Sequence, residues 1–134
     1  MEDCVFCKII SGEFSSRKIY EDKDTLAFLD ISKDVDGHIL VVPKKHVKNV
    51  LDADTKTLAH VMSTVKKVSK HLVKNCGYEG VNLINASGEC AEQTVPHLHI
   101  HIIPRKPNDK LKAWPKFPGA KEELDETLKK LKMK

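Results

Sequence analysis

Three histidines alternate with apolar residues in the stretch TVPHLHIHIIPR, which covers residues 94–105. Side chains on a β-strand point alternately to its two faces, so His97, His99 and His101 share one face. The residues that point the opposite way are all apolar: Leu98, Ile100 and Ile102. We therefore predict a strand over His97–Ile103 that buries one face and carries imidazoles, about 6.5–7 Å apart, on the other.

This histidine row (His97, His99 and His101) needs partners, because a buried polar group without a hydrogen bond costs free energy. It therefore indicates a catalytic or metal site rather than a solvent-facing stripe. A neutral imidazole attacks through one ring nitrogen when the other carries the proton, and a neighbouring carbonyl or imidazole can fix that tautomer. Alternating histidines can also bind zinc. The pattern alone leaves a nucleophile and a metal site as alternatives.

The rest of the chain predicts a mixture of strands and helices. Short strands are expected at Lys18–Glu21, Thr25–Asp30, His38–Pro43 and Val81–Asn85. Short turns join most of them, which favours an antiparallel meander. A long helix capped by Asp54 is expected to run to about Cys76, because apolar residues recur there at helical spacing. Shorter helices are expected at Val5–Ile10 and Lys121–Lys134.

Composition excludes several classes of protein. Of the 134 residues, 40% are hydrophobic and 31% charged, as in one ordinary globular domain. We expect a folded core over residues 3–115 and a basic tail with a helix over 116–134. The formal charge of +4 does not indicate a nucleic-acid partner, and no apolar run is long enough to span a membrane. The acidic start lacks a signal-peptide layout, so we expect a cytoplasmic protein with reduced cysteines.

The pair Cys4-Val-Phe-Cys7 is a second chemical signal. A C-x-x-C spacing fits two spare thiols, a redox pair or half of a metal site. A closed tetrahedral zinc site would need two further ligands from elsewhere in the chain. The spacing alone leaves these three possibilities open.

Several segments together resemble one family. TVPHLHIHII matches the His-x-His-x-His-x-x signature, with apolar x, of the histidine triad (HIT) superfamily. CVFCKIISGE, IYED, LAFLDIS, GHILVVPKKH and WP resemble stretches of bacterial HIT proteins of the Hint type, in the same order, over residues 3 to about 115. The resemblance implies an α+β fold: a five-stranded antiparallel sheet with one long and one short helix, plus a C-terminal helix. It also implies a homodimer joined across the long helix and the fourth strand.

The resemblance implies a nucleotide hydrolase that acts on a phosphoramidate or phosphoanhydride bond. His99 would attack the α-phosphate of a purine nucleotide and form a covalent nucleotidyl-histidine, from which water releases the nucleoside monophosphate. His101 would face the leaving group and move protons. His38 would support the triad from a neighbouring strand. Gln93 and Thr94 would donate hydrogen bonds to phosphate oxygens.

The same resemblance implies a nucleoside pocket and a structural zinc site. The apolar walls around the base would be Val5, Phe6, Ile9, Phe28 and Ile31. Asp30 would accept hydrogen bonds from the ribose hydroxyls, and Asn85 would lie at the phosphate. The zinc ligands would be Cys4, Cys7, His46 and His97, which makes His97 a ligand rather than a proton carrier. One departure is Glu92, where the family usually has glycine.

Two other functions compete with the hydrolase. The chain could be a nucleotide-binding sensor whose hydrolysis is incidental, because binding and turnover would share one pocket. It could also be a metal-binding protein in which the histidine row itself holds zinc. Release of nucleoside monophosphate would distinguish the hydrolase from the sensor. A metal assay on Cys4→Ser and His99→Ala would distinguish zinc held by the cysteines from zinc held by the histidine row.

Overall fold

A five-stranded antiparallel sheet forms the centre of the fold in the computed structural model, which describes residues 3–134. The strands are β1 (Lys18–Glu21), β2 (Thr25–Leu29), β3 (Ile39–Pro43), β4 (Gly80–Ile84) and β5 (Ile100–Arg105). The helices are α1 (Val5–Ser11), α2 (Thr55–Asn75) and α3 (Leu124–Leu131), with a short 3-10 turn at Glu89–Ala91. This architecture confirms the predicted α+β class with one long helix, one short helix and a C-terminal helix.

The predicted meander is wrong at one connection. The strand order is β1-β2-β3-β5-β4, so β5 lies between β3 and β4. Consecutive strands pair where a short turn joins them, but α2 separates β3 from β4 and carries the chain one position further along the sheet. As a result His101 lies between two strands, opposite Leu40 of β3 and Ile84 of β4.

The strand that follows the histidine row is shifted from its predicted position. It begins at Ile100 instead of His97, because the preceding residues pair with the segment after β3: the Leu98 amide donates to the Val47 carbonyl at 2.8 Å. It also continues through Pro104 instead of stopping there. The β3 ladder ends at the Ile39–Ile102 pair, so the missing amide proton of Pro104 costs no ladder hydrogen bond.

The two faces of the sheet have separate cores. One face packs against α2 and includes Val41, Val61, Leu98 and Ile102. The opposite face packs against α1 through Phe6, and its buried residues include Cys4, Leu26, Phe28, Leu40 and Val42. The predicted alternation is confirmed, since Leu98 and Ile102 lie on the α2 face while Phe6 of α1 contacts the rings of His97 and His99.

Gly37 brings two parts of the backbone close together immediately before His38. Its φ is +79°, and a Cβ atom built there would lie 3.0 Å from Cγ of Pro104. A side chain at this position would therefore meet both backbone strain and a steric clash. The absence of a side chain lets the chain turn tightly against β5 and begin β3 beside the histidine row.

The C-terminal helix is shorter than predicted and packs less. It spans Leu124–Leu131, within the expected Lys121–Lys134. Leu124, Leu128 and Leu131 are exposed by 82%, 58% and 73%, so the predicted apolar stripe is not part of either core. Among residues 3–134 there is no helix with the length and apolar character that a membrane crossing requires.

Glu92 has a left-handed backbone, with φ +72° and ψ 28°, which accounts for the glycine expected there. A side chain in this region is strained, because Cβ approaches the following carbonyl oxygen. We expect Glu92→Gly to raise the free energy of unfolding by about 0.5–1 kcal/mol, measured by denaturant titration. Glu89→Gly is the matched control: it removes the same charge from the same turn and should not stabilise the chain. A less stable Glu92→Gly would contradict this account.

Candidate active site and metal centre

A cavity of about 530 Å³ opens on the α1 face of the sheet beside the histidine row. Nine of the residues predicted to bind nucleotide line it: Val5, Phe6, Ile9, Phe28, Asp30, Ile31, Thr94, His99 and His101. The wall thus combines apolar side chains with the polar groups of Asp30, Thr94 and the two histidines. The cavity is large enough for a small organic ligand with an apolar ring and a polar group.

Sequence reasoning missed part of this wall: Ser15, Ser16, Arg17, Leu29, Leu40 and Val95. Ser15, Ser16 and Arg17 belong to the connection between α1 and β1, which has ordinary polar composition and gives no motif to recognise. The Ser16 hydroxyl is buried and has no hydrogen-bond partner within residues 3–134. Only the packing of that connection against β2 brings these residues to the cavity.

His99 is held in one tautomer. Its Nδ1 lies 2.8 Å from the backbone carbonyl oxygen of His97, which can only accept, so Nδ1 carries the proton. The lone pair is therefore on Nε2, and the ring lines the cavity. The Phe6 ring packs edge-on against the imidazole at 5.0 Å between centroids. Burial lowers the pKa of His99, which favours the neutral imidazole.

His101 and His38 form a hydrogen-bonded pair behind His99. His38 Nε2 lies 2.8 Å from His101 Nδ1, and His38 Nδ1 lies 2.8 Å from Oδ1 of Asp34. Burial lowers the pKa of His101 to about 4, with a further contribution from the neighbouring His99. Asp34 is a residue that sequence reasoning missed, because a single acid in the turn between β2 and β3 is ordinary turn chemistry.

The structure does not place Gln93 and Asn85 on the cavity wall with the other predicted residues. The Gln93 amide donates to the carbonyls of Lys48 and Val95 and accepts from the Gly88 amide and the Asn49 side chain. Asn85 donates to the backbone carbonyl of His99 at 3.0 Å. Both amides hold the loop and strand that carry the histidine row, and their roles towards phosphate stay predictions.

The four predicted zinc ligands converge on one point. The ligand atoms of Cys4, Cys7, His46 and His97 all lie within 4.8 Å of one another. His46 Nδ1 is 3.1 Å from His97 Nδ1, and Cys4 Sγ is 3.4 Å from His97 Nδ1. A tetrahedral zinc ion with bonds of about 2.0–2.3 Å separates its ligand atoms by about 3.3–3.8 Å, so the cluster has the size of a closed zinc site.

The protonation of the cluster also fits a metal. His97 donates from Nε2 to the Pro43 carbonyl at 2.9 Å, which leaves the lone pair on Nδ1, the atom that faces the cysteines. Burial lowers the pKa of His97 to about 4. Burial, with the neighbouring Cys4, raises the pKa of the Cys7 thiol to about 11. Two neighbouring thiols, one buried and one half-buried, give up both protons most readily when a cation replaces them.

A sequence profile described as "HIT domain" matches residues 11–108, which is most of the chain and includes the histidine row. The chain belongs to the HIT family. The resemblance read from the sequence is thus confirmed. The matched region begins after Cys4 and Cys7, so the profile does not include the N-terminal zinc motif. That motif is supported by the geometry of the cluster.

Three relatives of this HIT protein are informative. An uncharacterised HIT-like protein of Methanocaldococcus jannaschii is 43% identical over 130 residues, 96% of this chain and 98% of its own length. An adenosine 5′-monophosphoramidase of Schizosaccharomyces pombe is 39% identical over 124 residues, 90% of each chain. An adenylylsulfatase of Arabidopsis thaliana is 42% identical over 107 residues, 80% of this chain and 54% of its own. Relatives at this level of identity therefore include nucleotide hydrolases.

Two solved structures share the fold of this HIT protein. A protein from Streptococcus mutans has a TM-score of 0.85 and 41% identity, and the match covers 98% of this chain and 82% of that one. A zinc-bound histidine triad family protein from Mycobacterium smegmatis has a TM-score of 0.79 and 35% identity, with coverage of 84% and 81%. A family member of this fold has thus been crystallised with zinc.

Proposed function

We propose that this HIT protein is a nucleotide hydrolase that attacks an α-phosphate through His99. The observation that carries the proposal is the hydrogen bond from His99 Nδ1 to the His97 carbonyl, which leaves a lone pair on Nε2 at the cavity wall. A neutral imidazole approaches an anionic phosphate without the repulsion that a carboxylate nucleophile would meet. Burial, which lowers the pKa of His99, supports that neutral state.

The reaction proceeds in two displacements at phosphorus. His99 Nε2 forms a bond to the α-phosphorus as the bond to the leaving group breaks, and the product is a nucleotidyl-histidine. Water then attacks the same phosphorus, and the nucleoside monophosphate leaves as the phosphorus–nitrogen bond to His99 breaks. The bond to the His97 carbonyl stabilises the positive charge that develops on the His99 ring in the first step.

The lining of the cavity offers apolar groups for a base and polar groups for a phosphate. The purine would lie among the apolar residues Val5, Phe6, Ile9, Phe28 and Ile31, which all line the cavity. Asp30 would accept from the ribose hydroxyls, because its carboxylate lines the same cavity. Thr94 lies on the wall with His99 and would donate to the phosphate. A purine nucleotide is the substrate class that this combination of apolar wall, acid and imidazole would select.

A hydrolysis panel tests the proposal. Adenosine phosphoramidate, aminoacyl adenylate, adenylyl sulfate and dinucleoside polyphosphate present the same α-phosphate with different leaving groups. We expect release of AMP, with the highest kcat/KM on the phosphoramidate, in keeping with the phosphoramidase among the relatives. Binding of AMP without release of monophosphate from any of the four compounds would favour the sensor instead.

We propose a structural zinc ion held by Cys4, Cys7, His46 and His97. The cluster size, the Nε2 bond of His97 to Pro43 and the zinc-bound relative support it. When bound, the ion would cross-link α1, the segment after β3 and the residues before β5. His97 would then fix the backbone carbonyl that orients His99.

Thiolate ligands persist in a reducing compartment, which supports a cytoplasmic location for this protein. Cell fractionation tests this location.

We also propose a homodimer joined across α2 and β4. β4 is an edge strand whose Leu83 and Ile84 are exposed by 45% and 42%, and Met62 and Val73 of α2 are exposed by 45% and 41%. Exposed apolar residues on an edge strand and an adjacent helix are typical of an interface. Sedimentation velocity should give twice the chain mass, and a monomer at micromolar concentration would contradict the proposal.

A further inference from the structure

A carboxylate outside the cavity wall fixes the tautomer of the histidine behind the active site. His38 Nδ1 lies 2.8 Å from Oδ1 of Asp34 and 3.4 Å from Oδ2 of Asp30. An ionised carboxylate can only accept a hydrogen bond, so Nδ1 of His38 carries a proton. The hydrogen bond from His38 lowers the pKa of Asp34, which favours the ionised form of the acid. The His38 side chain is 9% exposed and that of Asp34 is 54% exposed, so the imidazole is buried while solvent reaches the carboxylate.

The other nitrogen of His38 connects this carboxylate to the cavity. His38 Nε2 and His101 Nδ1 are 2.8 Å apart, and one of the two atoms carries the hydrogen between them. His101 lines the cavity next to His99, with the two ring centroids 4.9 Å apart. Asp34, His38 and His101 therefore form one continuous hydrogen-bonded relay that ends at Nε2 of His101.

We propose that Asp34 is a positioning residue that enables His101 to donate a proton to the leaving group. The proposal rests on the hydrolase function proposed above. It adds Asp34 to His38 and His101 as the third member of the relay. For this role the relay must hold one extra proton before attack, so that His38 carries protons on both nitrogens with the positive charge beside Asp34. His101 is then neutral, accepts from His38 at Nδ1 and carries a proton on Nε2 towards the cavity.

The proton transfers balance over the whole cycle. As His99 Nε2 bonds to phosphorus, the Nε2 proton of His101 goes to the leaving atom and the Nε2 proton of His38 goes to His101 Nδ1. The relay thereby loses one proton, and His38 becomes neutral while still donating from Nδ1 to Asp34. When water attacks the intermediate, its proton goes to His101 Nε2 and the Nδ1 proton of His101 returns to His38. The relay then regains its initial state.

The two carboxylates beside His38 are the reason to place the positive charge of the relay there rather than on His101. Burial lowers the pKa of His101 to about 4, His99 and His38 lower it further, and Asp30 and Asp34 partly offset these effects. His38 faces His101 on one side and the carboxylates of Asp30 and Asp34 on the other. A cation is more stable on a ring that bonds to a carboxylate than on a ring whose hydrogen-bond partner is another imidazole.

The position of Asp34 explains why it, rather than Asp30, would hold His38 during turnover. Asp30 lines the cavity, where the ribose hydroxyls would occupy its carboxylate. Asp34 is not among the residues that line the cavity. Its Oδ1 also accepts from the Val35 amide at 2.8 Å and from the Ser32 hydroxyl at 3.0 Å, which fix its orientation. A bound nucleoside would therefore leave the Asp34–His38 contact intact.

Two substrates with different leaving groups test the relay. An amine leaves a phosphoramidate only with a proton, whereas nitrophenolate leaves a nitrophenyl ester of AMP without one. We expect Asp34→Asn to lower kcat/KM, which reports the steps up to departure of the leaving group, about 10²-fold on adenosine phosphoramidate and about threefold or less on the nitrophenyl ester. Asp36→Asn, which removes the same charge from the same exposed turn, should leave both rates unchanged. An equal loss on both substrates, or no loss on the phosphoramidate, would overturn the proposal.

A measurement without substrate separates this proposal from the hydrolase function. If the wild-type chain cleaves neither compound, the hydrolase function fails, and imidazole ¹⁵N spectra still test the contact. In an Asp30→Ala background, which removes the second carboxylate near Nδ1, we expect a protonated Nδ1 on His38 both alone and with Asp36→Asn added, and a mixture of tautomers with Asp34→Ala added. An unchanged His38 signal with Asp34→Ala added would show that Asp34 does not fix the tautomer.

Discussion

His99→Ala is expected to lower kcat/KM for release of nucleoside monophosphate by about 10⁴-fold. Alanine removes the Nε2 lone pair that forms the bond to phosphorus and leaves only the binding contribution of the cavity. The loss should appear in kcat on every active compound of the panel, because the same atom attacks each α-phosphate. His71→Ala is the matched control, since His71 is an exposed histidine on α2, away from the cavity wall.

The covalent intermediate gives this prediction a second readout. Intact-mass measurement of His101→Ala with the nitrophenyl ester of AMP should reveal one nucleotidyl group per chain, because His101 is the group that takes the proton from the attacking water. The double variant His99→Ala, His101→Ala should not acquire that mass. Full activity in His99→Ala, or an adduct on another residue, would contradict the proposed nucleophile.

The second large effect concerns the metal cluster. We expect about one zinc ion per chain in the wild type and a loss of that zinc in Cys4→Ser and in Cys7→Ser. With free zinc at about a thousand times its Kd, the ion stabilises the fold by about 4 kcal/mol. Loss of a ligand should therefore lower Tm by roughly 15 °C for a chain of this length. Bound metal is measured by emission spectroscopy and Tm by calorimetry.

The chain supplies its own controls for this experiment. Cys76 and Cys90 are exposed cysteines outside the cluster, so Cys76→Ser and Cys90→Ser should retain both zinc and Tm. His99→Ala should also retain the zinc, because His99 is not a member of the cluster. If zinc is lost in His99→Ala but kept in Cys4→Ser, the histidine row itself holds the metal and the assignment is wrong.

Local patterns predicted the elements of this fold well. The bounds of β1 coincide with the prediction, and α2 has Asp54 and Cys76 as its caps, at the positions expected from the sequence. Helical and strand periodicities depend on neighbours a few residues apart, so they can be read without the fold. The order of the strands could not be read in the same way. The position of β5 between β3 and β4 depends on where a 21-residue helix returns the chain, which no local pattern contains.

The residues of the candidate site also fall into two groups: those that sequence patterns predicted and those that only the fold revealed. Nine of the eleven residues predicted to bind nucleotide line one cavity, and the prediction came from several segments that resemble the family in the same order along the chain. Gln93 and Asn85 do not line it, since a side-chain amide satisfies backbone groups as readily as a ligand. Asp34 gave no signal at all, because its contact with His38 depends on how the turn between β2 and β3 closes.

Period-two alternation by itself determined that the histidines face away from Leu98 and Ile102, and the C-x-x-C spacing determined that Cys4 and Cys7 could share one metal. Both follow from backbone geometry over a few residues. Only the tertiary structure decided which atoms of those side chains meet. The carbonyls of His97 and Pro43 select the tautomers of His99 and His97, and Asp34 selects that of His38. Hydrogen-bond partners fix where a proton resides, and the chain brings most of these partners together only when it folds.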